Sequence, residues 1–504
     1  MDFLTRTLSI DRTLRELIAK RDAFWSRERE RLLLDIFKRV ARGVPAYRHF
    51  LKRHKVNQAK IRTMHDFALV PPTTKENYLR AYSLAELSWA GTIARPNVFT
   101  VTSGSTGEPF YFPRSENIDR QSAVFHKLFL DYRSAHKHES TLVVVCFGMG
   151  AWIGGLITYQ AFHTIATEAN YPLSIITPGP NKNEVFETIK RIAPKFKHVI
   201  LCGYPPFLKD VIDEGEAHGI NWHRLSLRII FAAEAFSEEF RAYVAQIAGI
   251  REPHLDTMNI YGSADIGTMA EETPASIVLR QAALRNKTLY GRLFEVAHRL
   301  PTLAQFHPGF VNFESVNGQI LVSGNNVLPL VRYAIGDYGG VMGFGEATAI
   351  VDEAGVSLKA LSRRGGLARS IPELPFVYVY ERADLSTKLY GAIIYPEHIK
   401  HGTYHRKLAK YLTGKFTMFT KLDARQNQYL EINVEMKPGV KVTAALEKQA
   451  AEIISRTLLE RNAEHRNNAT FMPGRVDPKI VFWKHEHPEH FRVGGKQQWV
   501  KNRA

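Results

Sequence analysis

The sequence predicts an α/β protein built around a parallel sheet, followed by a smaller α+β unit. Between about residues 95 and 380, short β-rich runs (NVFTV, TLVVVCF, LSIITPG, HVILCG, LRIIFAA, GQILVSG) alternate with longer stretches of helical periodicity such as NEVFETIKRIAPKF and SEEFRAYVAQIAGI. Strands alternating with helices imply βαβ units and a largely parallel sheet. After about residue 384 the pattern restarts on a smaller scale, with LYGAIIY, a helix opening at Pro396, FTMFTKL and the alternating YLEINVEM. A helix over 443–461 follows, with Leu446, Ala450, Ile453, Ile454 and Leu458 on one face, and then KIVFW. The expected division is a large unit over 1–383 and a small one over 384–504. Residues 12–55 read as amphipathic helix broken by GVP at 43–45, so that 1–55 forms a helical extension of the large unit.

With 504 residues, 45% hydrophobic and 23% charged, the chain is long enough for more than one core. Cys146 and Cys202 are too few for a disulfide framework or a thiolate cluster, so a cytoplasmic setting is expected. Charges within MDFLTRTLSIDRTLREL argue against a secretory signal. Residues 141–167 carry no Asp, Glu, Lys or Arg over a length that could cross a bilayer. Glycines 148, 150, 154 and 155 divide that stretch, and it reads as strand, turn and buried helix rather than a membrane span. The net charge of +17 suits anionic partners such as nucleotides, coenzyme A, acidic lipid or nucleic acid. The densest basic stretches interleave acids and apolar residues at helical spacing, the mark of a solvated helix face, so nucleic acid is not the expected partner. His485, His487 and His490 read as a polar loop, because no second ligand cluster accompanies them.

The most informative segment is VTSGSTGEP at 101–109, set between the strand-like NVFT and FYF. Hydroxyls at Thr102, Ser103, Ser105 and Thr106, with Gly104 and Gly107, give a loop whose N–H and O–H groups can converge on an anion. It lacks the Gly-Lys-[Ser/Thr] ending of a Walker A loop. By itself such a run is more often a surface loop, and the segments that accompany it decide. TSGSTGEP resembles the phosphate loop of the acyl-adenylate-forming superfamily. AAEAF at 232–236, with Ala233 and Glu234, is similar to that superfamily's adenine-contacting segment. YGSAD at 261–265, with Tyr261, Gly262, Ser263 and Asp265, resembles its Tyr-Gly-x-[Ser/Thr]-Glu motif. RYAIGD at 332–337 resembles its ribose-binding Gly-Asp motif, 381–399 its hinge, and GGKQQW at 494–499 its terminal Gly-Lys motif. Three further segments, VPAYRHFLKRH at 44–54, LVPPTTKENYL at 69–79 and LCGYPPFLKDV at 201–211, are similar to the phenylacetate–CoA ligase-like branch. The resemblance covers about 45–504.

The resemblance implies a large N-terminal adenylate-forming domain, a small mobile α+β C-terminal domain, and a two-step activity. ATP would activate a small carboxylic acid as acyl-AMP with release of pyrophosphate, and the acyl group would pass to coenzyme A. It puts the hydroxyl loop on the β- and γ-phosphates, Asp265 on Mg²⁺, Tyr261 against adenine, and Asp337 with Arg382 on the ribose hydroxyls. A carboxylate suits a diol because it accepts two hydrogen bonds, and Mg²⁺ prefers hard oxygen ligands. Lys496 would lie between the substrate carboxylate and the α-phosphate, where a compact ammonium stabilises developing charge. Asp384 would be the pivot of the small domain.

Several positions depart from the pattern. Asp265 stands where Glu is usual, no lysine follows the loop (Glu108, Pro109, Phe110), and Glu381 and Leu385 alter the hinge. CFGMGAWIGGL at 146–156 and GYPPF at 203–207 supply apolar and aromatic surface suited to an aryl or aliphatic acid. Two alternatives remain at this level: an adenylating enzyme whose acceptor is a carrier protein or an amine, and a basic nucleic-acid or membrane-binding protein with a vestigial nucleotide fold.

Overall fold

The computed structural model describes residues 9–94, 98–101, 109–133, 136–169, 171–294, 301–355, 357, 371–380 and 386–491. Among these residues one sheet of 11 strands organises the larger part of the chain. In spatial order, Leu173–Ile176, Thr141–Val145, His198–Gly203, Ser226–Ala232 and Thr257–Ser263 run parallel. Parallel neighbours need a crossover, and the helices Ile153–Glu168, Lys182–Arg191, Pro205–Gly215 and Glu238–Ile247 supply it. Thr141–Val145 (TLVVV) is wholly buried, and its sequence accordingly shows no polar alternation. The stretch 141–167 therefore resolves into strand, turn and helix, and no helix among the described residues is long and apolar enough to cross a membrane.

Beyond Thr257–Ser263 the sheet becomes antiparallel, through Gly267–Glu271, Thr302–Gln305, Phe376–Tyr380, Leu330–Met342, Gln319–Gly324 and Val311–Val316. The expectation of a largely parallel sheet holds for one half only. The reason is local: Asn317 and Gly318, at φ 51° and 75°, form a two-residue turn between Val311–Val316 and Gln319–Gly324, and such a turn can only join antiparallel strands.

The N-terminal segment forms three helices, Ile10–Ala19, Asp22–Gly43 and Pro45–Arg53. The break at 43–45 is where the sequence places it, and a second falls at Lys20 and Arg21. This region is stitched to the strand Leu330–Met342. Thr73 N–H donates to Arg332 O at 3.1 Å, and Ala334 N–H donates to Thr73 O at 2.8 Å. The Arg332 guanidinium donates to the carbonyls of Phe67 (3.2 Å) and Ala68 (2.6 Å), the closing turn of the helix Met64–Ala68. RYAIGD thus also anchors LVPPTTKENYL.

In the C-terminal part, Gln428–Met436 is central in a three-stranded sheet, antiparallel to Leu412–Leu422 and parallel to Lys479–Trp483. The helix Ala444–Arg461 buries Leu446, Ala450, Ile453, Ile454 and Leu458, the predicted face. LYGAIIY contributes the end of one strand and all of the next in a hairpin of Thr387–Leu389 and Ala392–Ile394. Its two-residue turn is Tyr390-Gly391, at φ 51° and 83°. Positive φ at both positions is the signature of the tight turn that matches strand twist. His487 and His490 pack their rings on Trp483, each 4.3 Å between centroids.

The small unit is fastened to the large one at a buried carboxylate. Asp210, on the helix Pro205–Gly215, accepts hydrogen bonds from Arg475 Nε (2.8 Å) and Nη2 (2.5 Å) and from the Tyr390 hydroxyl (2.7 Å). Beside it, Lys209 Nζ donates to Asn427 Oδ1 at 2.9 Å.

Candidate active site

From Thr141–Val145 the chain first crosses outward to Leu173–Ile176 and then returns to the other side to form His198–Gly203. A crevice opens at the carboxyl ends of strands where the winding reverses, and a cavity of about 260 Å³ lies there. The segments that follow the parallel strands supply its walls: Phe147, Tyr204, Ala232–Ala235 and Tyr261–Asp265. Lys388, Gly391, Tyr395 and Glu464 of the small unit close the opposite side. An apolar stretch runs through Phe147, Trp152, Ile153 and Ile157.

The cleft brings together most of the predicted residues that the structure describes. The Tyr261 hydroxyl donates to Asp337 Oδ2 at 2.7 Å, joining two motifs distant in sequence. Gly336, at φ 90°, turns the backbone just before Asp337, a conformation that L side chains rarely adopt. Asp265 is 5% exposed, and its Oδ2 accepts a hydrogen bond from the Tyr333 hydroxyl at 2.6 Å. One hard carboxylate held by an outer tyrosine fits Mg²⁺, which takes the rest of its shell from phosphate and water. Ser263 lines the same wall, and a Cβ on Gly262 would stand 2.8 Å from Gly267 O.

Ala233 and Glu234 do more than the sequence implies. The Ala233 carbonyl accepts from Lys388 Nζ at 2.7 Å. The Glu234 carboxylate accepts from Gln428 Nε2 at 2.7 Å and from the Gly391 N–H. The segment read as adenine-contacting is thus also where the small unit docks. Thr102, Ser103, Gly104, Ser105, Thr106, Gly107, Arg382, Asp384 and Lys496 lie outside the described residues. Val101 and Tyr380, which precede residues 102–108 and 381–385, both line the cleft.

Three groups at the cleft escaped the sequence reading. Lys75, from the PPTTK segment, lines it without an ion-pair partner among the described residues, a cation on a site whose hydroxyl loop lacks the usual lysine. Its signal was the signature itself. Glu464 opens the helix Ala463–Phe471 and makes no hydrogen bond to a described residue. Burial pushes its carboxyl up to about 8; the Lys388 ammonium pulls it back, and the Glu234 charge pushes it further up. Nothing in the sequence separates it from a solvated helix glutamate. His126 is the third.

Away from the cleft, His136, Glu139 and His198 come together near the amino ends of the parallel strands. The two rings stack 3.6 Å apart at 14°, and both nitrogens of His198 already have partners, Nδ1 the Ser226 hydroxyl at 2.8 Å and Nε2 the Glu139 carboxylate at 2.6 Å.

No protein-family profile matches the chain. Among curated proteins it is similar to the phenylacetate–coenzyme A ligase of Aromatoleum evansii, 25% identical over 252 residues, and to that of Pseudomonas putida, 26% identical over 251. Each match takes in 49% of this chain and 52% of the relative, so the chain spans about half the length of the curated relatives it matches. Among solved structures it is similar to a 2-hydroxyisobutyryl-CoA ligase with bound acyl-AMP and CoA in the thioesterification state. That likeness has a TM-score of 0.61 at 15% identity, over 94% of this chain and 90% of the other. Against the same ligase in the postadenylation state the TM-score is 0.52 at 13% identity, over 97% and 92%. The fold is that of the adenylate-forming enzymes, a large α/β sheet unit with a separate small C-terminal one.

Two outcomes follow from this geometry. On the reading proposed below, in which Asp337 accepts from a ribose hydroxyl, Asp337→Ala should weaken ATP binding by about 1.5–3 kcal/mol, the size of a hydrogen bond to a charged group. Calorimetric titration with ATP checks this, and unchanged affinity contradicts it. The second concerns Glu464. Its folded pKa is raised from 4.5 to about 8, so the folded state holds a proton that the unfolded state has released. Stability should therefore fall as pH rises from about 4.5 to about 8. Glu464→Gln should flatten that part of the profile in denaturant unfolding, and an unaltered profile would show that the carboxyl is not shifted.

Proposed function

We propose that this chain, an adenylate-forming protein of the phenylacetate–CoA ligase-like kind, activates a small carboxylic acid with ATP and passes the acyl group to the thiol of coenzyme A. The observation that carries the reading is one cleft in which the Tyr261–Asp337 pair and Asp265 face an apolar wall. The first two are what a ribose and a metal–phosphate group require, and the wall is what an aryl or aliphatic tail requires.

In the first half-reaction the acid's carboxylate attacks the α-phosphate of ATP and pyrophosphate leaves. No protein nucleophile takes part, so catalysis consists of placing cations and donors. Asp337, with Arg382, would hold the ribose and Tyr261 would lie against adenine. The loop at Thr102–Gly107 would hold the β- and γ-phosphates, and Lys75 is placed to add the charge that loop lacks. Asp265 would ligate Mg²⁺, which when bound neutralises phosphate charge. Lys496 would stabilise charge where the carboxylate meets the α-phosphate. In the second half-reaction the thiol attacks the acyl carbon and AMP leaves.

The domain division at 383/384, with Asp384 as pivot, belongs to the same proposal. The higher TM-score to the thioesterification-state structure supports reading the present arrangement as the one for acyl transfer. The basic nucleic-acid-binding alternative rests on the net charge alone, and the cleft adds no basic, base-stacking surface to it.

Pyrophosphate release across a panel of aryl and aliphatic acids, with and without coenzyme A, tests the function. The expected result is acid-dependent release that becomes multiple-turnover only when coenzyme A is present. Release stimulated equally by a simple amine would move the acceptor, and no acid-dependent release at all would contradict the proposal.

A further inference from the structure

The apolar wall of the cleft holds one polar group whose hydrogen bonding the protein leaves half complete. His126, on the helix Glu116–Asp131, has 0% exposure and lines the cavity with Phe147, Ile157 and Thr268. Its Nδ1 lies 2.8 Å from the Ser122 carbonyl oxygen, one turn back on its own helix. A carbonyl only accepts, so Nδ1 must carry the proton. The Ser122 hydroxyl, 3.3 Å from the same nitrogen, has the Thr268 hydroxyl at 2.9 Å as its better partner. Burial lowers the imidazole pKa to about 4, so the ring is neutral near pH 7. Nε2 therefore presents a bare lone pair.

No donor among the described residues meets that lone pair. On the side of the neighbouring helix Ile153–Glu168, the Phe162 ring stands edge-on at 5.0 Å and 81° and offers only C–H. A buried acceptor without a donor destabilises the fold, and a leucine or phenylalanine would line such a wall without that cost. The missing donor therefore belongs to what the cavity takes in. An ammonium would need a counter-charge, which the wall of Phe147, Ile157, Thr268 and His126 does not carry. A hydroxyl needs none.

We infer that the acid activated at this site carries a hydroxyl on its tail, and that this hydroxyl donates to His126 Nε2. The inference rests on reading the cleft as an acyl-adenylate site and narrows the substrate to the hydroxy acids, with His126 as the residue that selects them.

The test uses the full chain and matched pairs of acids: phenylacetic acid against its ring-hydroxylated forms, and hexanoic acid against its ω-hydroxy derivative. Binding is read by calorimetry in the native protein, in His126→Phe and in His126→Gln. We expect at least one hydroxylated acid to bind about 10-fold more tightly than its parent, the worth of one buried hydrogen bond. That preference should vanish in His126→Phe and survive in part in His126→Gln, whose side chain still offers an acceptor. In histidine-labelled native protein the ¹⁵N signal of His126 Nε2 should move with the hydroxylated acid and not with its parent, a readout that needs no variant to fold. The inference is overturned if no hydroxylated acid outbinds its parent, if the preference persists in His126→Phe, or if the Nε2 signal ignores the hydroxyl. Pyrophosphate release, followed alongside, reports on adenylation separately. A binding preference without release would keep the His126 assignment and remove the adenylation reading; release without a preference would do the reverse.

Discussion

The carboxylate of Asp210 is the fastening on which the closed cleft depends. It is 3% exposed, and desolvating it is costly unless donors replace the lost water. Arg475 supplies two and Tyr390 a third. Because Tyr390 is also the first residue of a two-residue turn, the same bond fixes the tip of the hairpin Thr387–Leu389/Ala392–Ile394. Gly391 then lies so close to Tyr204 that a Cβ there would come within 2.4 Å of its ring, and its N–H reaches Glu234. The far wall of the cleft, from Lys388 to Glu464, is in place because that hairpin is.

The large unit meets this wall with a strained segment. Ala233 has φ 75°, in the left-handed region, which costs a non-glycine residue about 1–2 kcal/mol. The Lys388 bond to the Ala233 carbonyl and the Asn259 bond to the Glu234 carbonyl, at 3.0 Å, hold the strained conformation from both sides. One of these donors belongs to each unit. The conformation of the segment 232–236 is therefore coupled to the position of the small unit.

Much of this was legible in the sequence because it rests on local periodicity or on motifs. The alternation of VVV-type runs with helical patterns located the parallel strands, and the buried face of Ala444–Arg461 was read residue by residue. What the periodicity does not show are turns: Asn317-Gly318 and Tyr390-Gly391 reverse the chain within two residues, and the first of them makes part of the expected parallel sheet antiparallel. Tyr261, Asp265 and Asp337, which the motifs single out, line one cleft. Lys75 lies in a segment the sequence singles out but to which it gives no role, whereas His126 and Glu464 sit in stretches whose pattern is fully explained by helix packing or solvation. Their significance appears only when segments hundreds of residues apart share a cavity, as the Glu464–Glu234 repulsion does. The hydroxyl loop, the hinge arginine and Lys496 rest on the sequence alone.

The central claim is that one cleft serves two half-reactions through two positions of the small unit, and that the Asp210 fastening marks the position for acyl transfer. Cysteines placed at 209 and 427, whose side chains meet across the same junction at 2.9 Å, and joined by a short bifunctional maleimide would hold the unit there with Asp210, Arg475 and Tyr390 intact, and the native Cys146 and Cys202 are buried and would not compete. The account predicts that the linked protein still transfers the acyl group from supplied acyl-AMP to coenzyme A. Its release of pyrophosphate from ATP should fall by about 10²-fold, the contribution of a single electrostatic group such as Lys496 kept from the reacting centre. Pyrophosphate release at the rate of the unlinked protein would contradict it.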